Sequence, residues 1–231
     1  MADILMVLTG TDRLTTTDGA DHPTGYWAEE FTAPYRAFTD AGHRVTVATP
    51  GGVVPTPDPA SLSPDMNGGA AGAAAVAAVL DAAAELRHPL ALADVDPSRY
   101  AAVFYVGGHG PMQDLAQDTD SARLLRSVMA AGTALGVVCH GVAALLPART
   151  EGDAWLFADY RLTAFSTVEE KQAGLADRLP WLLQERLEEA GARYSAAEPW
   201  APHVVVDRNL HTGQNPASSA PLAEALLKTI G

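Results

Sequence analysis

Three short apolar runs, each followed by a helical stretch, restrict this chain more than any other feature. Ile4–Leu8, Ala101–Val106 and Thr133–Val138 are almost free of polar side chains. Runs of this length read as strands buried on both faces, the signature of a parallel sheet covered by helices on each side. A fourth strand, Arg44–Ala48, stops at Pro50-Gly51-Gly52.

The segments between them have helical character. Glu29–Ala41 places Phe31, Tyr35 and Phe38 on one side and ends at Gly42, where a glycine can close a helix. Asp118–Ala131 is a second helix, and His140–Leu146 is helical directly after the strand that precedes it. Gly68–Arg87 is Ala-rich and helical, with Gly68, Gly69 and Gly72 weakening its start. Residues 52–66 contain Pro55, Pro57, Pro59 and Pro64 and form a loop.

The order then becomes less regular. Arg161–Phe165 reads as a strand, Leu179–Ala190 as a helix, and His203–Asp207 with Asn209–Thr212 as an antiparallel pair. Ala217–Ile230 is a closing helix with Ser218 or Ser219 as its N-cap. Alternating β and α segments give an α/β fold with a mainly parallel central sheet. No linker divides the chain, so residues 1–231 are expected to form one domain, with 52–98 as an insertion or cap.

Charge and cysteine usage exclude several function classes. A net charge of −13, from 28 acidic and 15 basic side chains, repels phosphate backbones and anionic lipid. Nucleic-acid and membrane partners are therefore not expected. One cysteine cannot form an intrachain disulfide, which fits a reducing compartment. Without a basic N-terminal region or an apolar run of about 20 residues, a cytoplasmic location is expected. The seven histidines (22, 43, 88, 109, 140, 203, 211) show no metal-binding spacing, and no nucleotide-binding glycine pattern is present, so neither metal nor cofactor is expected.

In open parallel sheets, ligands bind beyond the carboxyl ends of the strands. Residues 106–114, 139–142 and the stretch after Phe165 occupy such ends. Gly136-Val137-Val138-Cys139-His140-Gly141 passes from strand through a cysteine into a helix, the cysteine counterpart of a nucleophile elbow. A helix N-terminus carries roughly half a positive charge and free N–H groups, which favour thiolate and can hold an oxyanion. Gly141 would leave room for a ligand. The competing reading makes Cys139 a buried core thiol. Adjacent residues on a helix point in different directions, so pairing of Cys139 with His140 requires an unusual turn.

Three motifs carry a resemblance. Tyr105-Val106-Gly107-Gly108-His109-Gly110, Val138-Cys139-His140-Gly141 and Thr212-Gly213-Gln214-Asn215-Pro216-Ala217-Ser218-Ser219 resemble the class I glutamine amidotransferase-like superfamily. Within it they are similar to the PfpI/DJ-one group, in the branch of heat-shock chaperones with glyoxalase III activity. The resemblance implies a flavodoxin-like three-layer sandwich, a homodimer and a catalytic set of Cys139, His140 and an acid. That acid falls in Thr163-Ala164-Phe165-Ser166-Thr167-Val168-Glu169-Glu170, with Glu170 the better aligned and Glu169 assigned to the surface. A further family glutamate maps on Glu30 through the pattern from Gly25 to Pro34. Gly108, His109 and Gly141 are the expected substrate-binding positions. Two departures stand out: Val142 replaces a frequent proline, and Gln113 replaces a frequent aromatic residue that bears on substrate preference.

The implied chemistry is a glutathione-independent conversion of methylglyoxal or glyoxal to a 2-hydroxy acid through a Cys139 hemithioacetal. A cysteine hydrolase or isonitrile hydratase, a holdase chaperone and a redox sensor are the alternatives the same resemblance leaves open.

Overall fold

Strand β1 (Asp3–Val7) sends successive side chains into two separate cores. Ile4 and Met6 join Phe31, Phe38, Leu222 and Leu226 on one side; Leu5 and Val7 join Leu125, Val128, Leu183 and Leu187 on the other. A strand covered on both faces needs an apolar residue at every position, because neighbouring side chains point in opposite directions. The computed structural model describes residues 1–231.

After β1 come the hairpin strands β2 (Arg13–Thr15) and β3 (Asp21–Pro23), helix α1 (Ala28–Asp40) and β4 (Arg44–Thr49). The next elements are α2 (Ala70–Ala82), β5 (Leu90–Ala91), β6 (Ala102–Tyr105), α3 (Gly110–Gln113), α4 (Thr119–Ala131) and β7 (Ala134–Val138). The chain ends through β8 (Arg161–Leu162), α5 (Thr167–Gln172), α6 (Leu183–Glu189), β9 (Arg193–Tyr194), β10 (Val204–Asp207), β11 (Leu210–Gly213) and α7 (Ser219–Ile230). Seven strands form the central sheet in the order β10-β11-β7-β6-β1-β4-β5. All neighbours are parallel except β10 and β11, the antiparallel pair expected from the sequence. This is the three-layer α/β sandwich with a flavodoxin-like sheet.

Register places the site. Val137 lies opposite both Tyr105 and Thr212, and Val138 opposite Gly213. The loops that start at 107, 139 and 214 therefore leave the sheet side by side at its carboxyl edge, where α/β sheets gather their functional groups.

Several element boundaries differ from the sequence reading. The Ala-rich helix is regular only over Ala70–Ala82; Ala83 leaves the helical conformation and a 3-10 turn follows at Ala84–Arg87. Pro59 and Pro64 each open a short 3-10 turn inside the proline-rich loop, a position where proline's missing N–H costs nothing. Pairing in the Arg161–Phe165 strand stops at Leu162, and the Thr163 N–H donates instead to Thr212 Oγ1. Pro180 disfavours helix at Leu179, so α6 starts at Leu183. Ser218 precedes α7 without capping it, because its hydroxyl donates to Asn215 Oδ1. No helix is long and apolar enough to cross a membrane.

Candidate active site

Strand β7 turns within one residue. Cys139 has φ +56°, a left-handed conformation that costs a non-glycine residue about 1–3 kcal/mol. The chain continues as a 3-10 helix over Cys139–Leu145 rather than an α-helix. This is the unusual turn that pairing with a neighbour requires: Cys139 Sγ lies 3.4 Å from His140 Nδ1.

Behind the imidazole stands a shared carboxylate. His140 Nε2 donates to Glu170 Oε2 at 2.6 Å, and His109 Nε2 donates to Glu170 Oε1 at 2.9 Å. Each ring thus carries its proton on Nε2, which leaves His140 Nδ1 as the acceptor facing the thiol. The His140 ring is sandwiched, with His109 at 4.0 Å and Phe165 at 4.5 Å between centroids. Burial alone would raise the Glu170 carboxyl, but His140 and His109 hold it well below the usual carboxylate range. Burial lowers His140, as does the adjacent His109, against the opposing pull of Glu170.

Glu30 is fully buried beside Cys139, and neither of its oxygens has a hydrogen-bond partner of ordinary geometry. Burial pushes its carboxyl up to about 8; the nearby Cys139 thiol and Gly107 N–H offset only part of this. Gly107 is glycine by necessity, since a Cβ there would collide with Glu30 Oε2 and come within 2.7 Å of Val138 O. At neutral pH, Glu30 is therefore a protonated acid beside a thiol.

The structure corrects the expectation of a resting thiolate. Cys139 is only 3% exposed, and burial, reinforced by Glu30, pushes its thiol well above the ordinary cysteine value. The His140 and Gly108 backbone N–H groups oppose this without reversing it. Desolvation outweighs the half-charge of a short helix end. The resting set is a thiol, a neutral imidazole and an ionised Glu170, arranged so that His140 Nδ1 can take the thiol proton.

Two further expectations change. A Cβ on Gly141 would lie 2.9 Å from Val106 O and 3.1 Å from Tyr105 O, so the space its missing side chain leaves is taken by the end of β6. Glu169 is fully buried, not on the surface. Its Oε2 accepts from the Ser166 N–H and hydroxyl and from Gln214 Nε2, and its Oε1 accepts from the Trp200 N–H and Asn215 Nδ2. Ser166 and Glu169 also form a capping box that opens α5. Glu169 thereby ties α5 to the Gln214-Asn215 loop and to Trp200, whose ring lies 5.6 Å from Phe165. The Ser-x-x-Glu spacing was the signal that could have found it.

One ring nitrogen of His109, one of His140 and a Glu170 oxygen lie within 4.8 Å of one another, a spacing also seen among metal donors. Here those donors bond to one another. A groove of about 880 Å³ lined by Met112, Leu146, Trp155, Trp181 and Arg186 shares no lining residue with this cluster.

The chain belongs to the DJ-1/PfpI family, whose model matches residues 24–229. It is 38% identical over 143 residues to the human glutamine amidotransferase-like class 1 domain-containing protein 1, covering 62% of this chain and 65% of that one. A Francisella tularensis rapid encystment protein of 24 kDa superposes with a TM-score of 0.88 at 30% identity, over 100% of both chains. Glyoxalase 3 of Candida albicans is 26% identical over 234 residues, 98% of each chain. Its crystal structure matches with a TM-score of 0.84, covering 98% of this chain and 96% of that one.

Proposed function

We propose that this protein is a glutathione-independent glyoxalase acting on methylglyoxal or glyoxal through Cys139. The observation that carries the reading is the line from Cys139 Sγ through the His140 ring to Glu170, at 3.4 and 2.6 Å. The full-length likeness to a protein named glyoxalase 3 supports the choice of substrate class.

In this reading His140 Nδ1 takes the thiol proton as sulfur attacks the aldehyde carbon. The carbonyl oxygen gains a proton, with Glu30 as donor, and a hemithioacetal results. The Gly108 N–H, which faces the sulfur, stabilises the developing oxyanion. The Glu30 carboxylate left after donation removes the proton from the former aldehyde carbon while protonated His140 gives its proton to the ketone oxygen, forming an enediol. Glu30 returns its proton to the neighbouring carbon and takes the one on the first hydroxyl, giving the thioester of a 2-hydroxy acid with both side chains reset. Water attacks that thioester, releasing lactate or glycolate and returning the proton to sulfur. No electrons leave the substrate, since one carbon is oxidised as its neighbour is reduced. Neutral small carbonyls suit a surface of net charge −13.

The test is proton NMR of methylglyoxal with purified protein and no glutathione. Lactate should form with the natural chain, and Cys139→Ala should slow its formation at least about 10³-fold. Turnover retained by Cys139→Ala would reject the mechanism.

A further inference from the structure

We propose that His109 is a positioning residue that acts through Glu170: as second donor on that carboxylate, it holds Glu170 against His140 and keeps His140 Nδ1 on the Cys139 sulfur. This rests on Cys139 being the reactive group of the proposed function, and it replaces the substrate-binding role expected for His109.

The geometry is that of a bridge. Each Glu170 oxygen takes one imidazole, Oε2 from His140 and Oε1 from His109. A carboxylate held at one oxygen can still turn about its side-chain torsions; held at both by donors from separate elements, it has one orientation. Those elements are independent here. His140 stands on the turn after β7, Glu170 lies in α5, and His109 follows β6 as the residue just before α3. The Met112 N–H donates to His109 O at 3.0 Å, and the Gly110 N–H to Gly25 O at 3.2 Å, so the bridge has a fixed footing. His109 is itself buried, and its ring lies 4.0 Å from that of His140, which leaves the His140 ring no freedom to swing away. Cys139 is one relay from Glu170 and two from His109. The other ionisable groups around this chain are Glu30 at the sulfur, Glu169 beside Glu170 along α5, and His22 of β3 near His109.

Alkylation of Cys139 by iodoacetamide reads the relay without any glyoxal. The chain has one cysteine, so intact mass reports this site alone. His109→Gln places an amide N–H where Nε2 stood, whereas His109→Asn is too short to reach Glu170 and is otherwise similar. Followed from acid to alkaline pH, His109→Asn should label about tenfold more slowly near neutrality, with its midpoint raised by about one pH unit. His109→Gln should stay within about twofold of the natural chain. In a Glu170→Gln background, His109→Asn should have no further effect, because the residue it acts through has already been altered.

Labelling of His109→Asn at the natural rate and midpoint would overturn the proposal. So would an effect that persists in full beside Glu170→Gln. Lost methylglyoxal turnover with natural labelling would assign His109 to the substrate and leave the cysteine mechanism standing. A labelling shift in a protein that never consumes methylglyoxal would do the reverse. Should near-UV circular dichroism show His109→Asn unfolded, His109→Phe fills the ring's volume, lacks the donor and answers the same question.

Discussion

Glu30 and Glu169 are both wholly buried carboxyls, yet their surroundings are opposite. Glu169 receives five hydrogen bonds, from Ser166 (two), Trp200, Gln214 and Asn215. Glu30 has no hydrogen-bond partner of ordinary geometry, only the Cys139 thiol and the Gly107 N–H nearby. Donors that replace water let a buried oxygen accept at little cost, whereas an unaccompanied carboxyl keeps its proton. Equal burial therefore yields a structural tie in one region and a stored acid in the other. What separates these two carboxyls is the number of donors around them, not their depth.

Removing the saturated member should have the largest effect. Glu169→Ala strands five donors, most of them buried, and should cost at least about 3 kcal/mol of stability, read as the urea unfolding free energy. A loss under about 1 kcal/mol would show that the donors find other partners, and the contrast with Glu30 would weaken.

The orphaned member should show itself through pH. With its folded value raised to about 8 against an ordinary 4.5, Glu30 retains a proton that the unfolded chain gives up. Folding stability is then lost as pH rises between these values. From pH 6 to pH 8 the natural chain should lose about 2 kcal/mol more than Glu30→Gln, since the histidines that burial lowers contribute equally to both. Parallel pH profiles for the two proteins would mean that Glu30 is already ionised at pH 6.

Glu29, the neighbour on α1, supplies the small end of the scale. It is only partly buried, and Glu29→Gln should change the unfolding free energy by less than about 0.5 kcal/mol while leaving methylglyoxal turnover intact.

Much of the frame was legible in the chain. Ile4–Leu8, Ala101–Val106 and Thr133–Val138 announce a sheet covered on both faces because no solvent-facing alternation interrupts them. The carboxyl-edge rule then brings residues 107–110 and 139–141 together. What escaped the sequence depends on contacts between distant segments. Glu169 and Glu170 are adjacent letters, and only the arrival of Gln214, Asn215 and Trp200 on one side and of two imidazoles on the other separates their roles. His109 could not be assigned a partner 61 positions away. The left-handed turn at Cys139 was likewise invisible, because cysteine gives no local signal for positive φ. The protonation state of the sulfur was misjudged for the same reason: a helix end is visible in sequence, but the desolvation that overrides it is not.

The backbone at position 139 has one more consequence. Glycine adopts φ near +56° without penalty, so exchanging the side chain for hydrogen there would relieve the turn as it removes the thiol. Heat resistance and reactivity pull this one codon in opposite directions. A laboratory selection that rewarded thermal survival alone would drift toward glycine at this site, and the thiol persists only where something downstream depends on it.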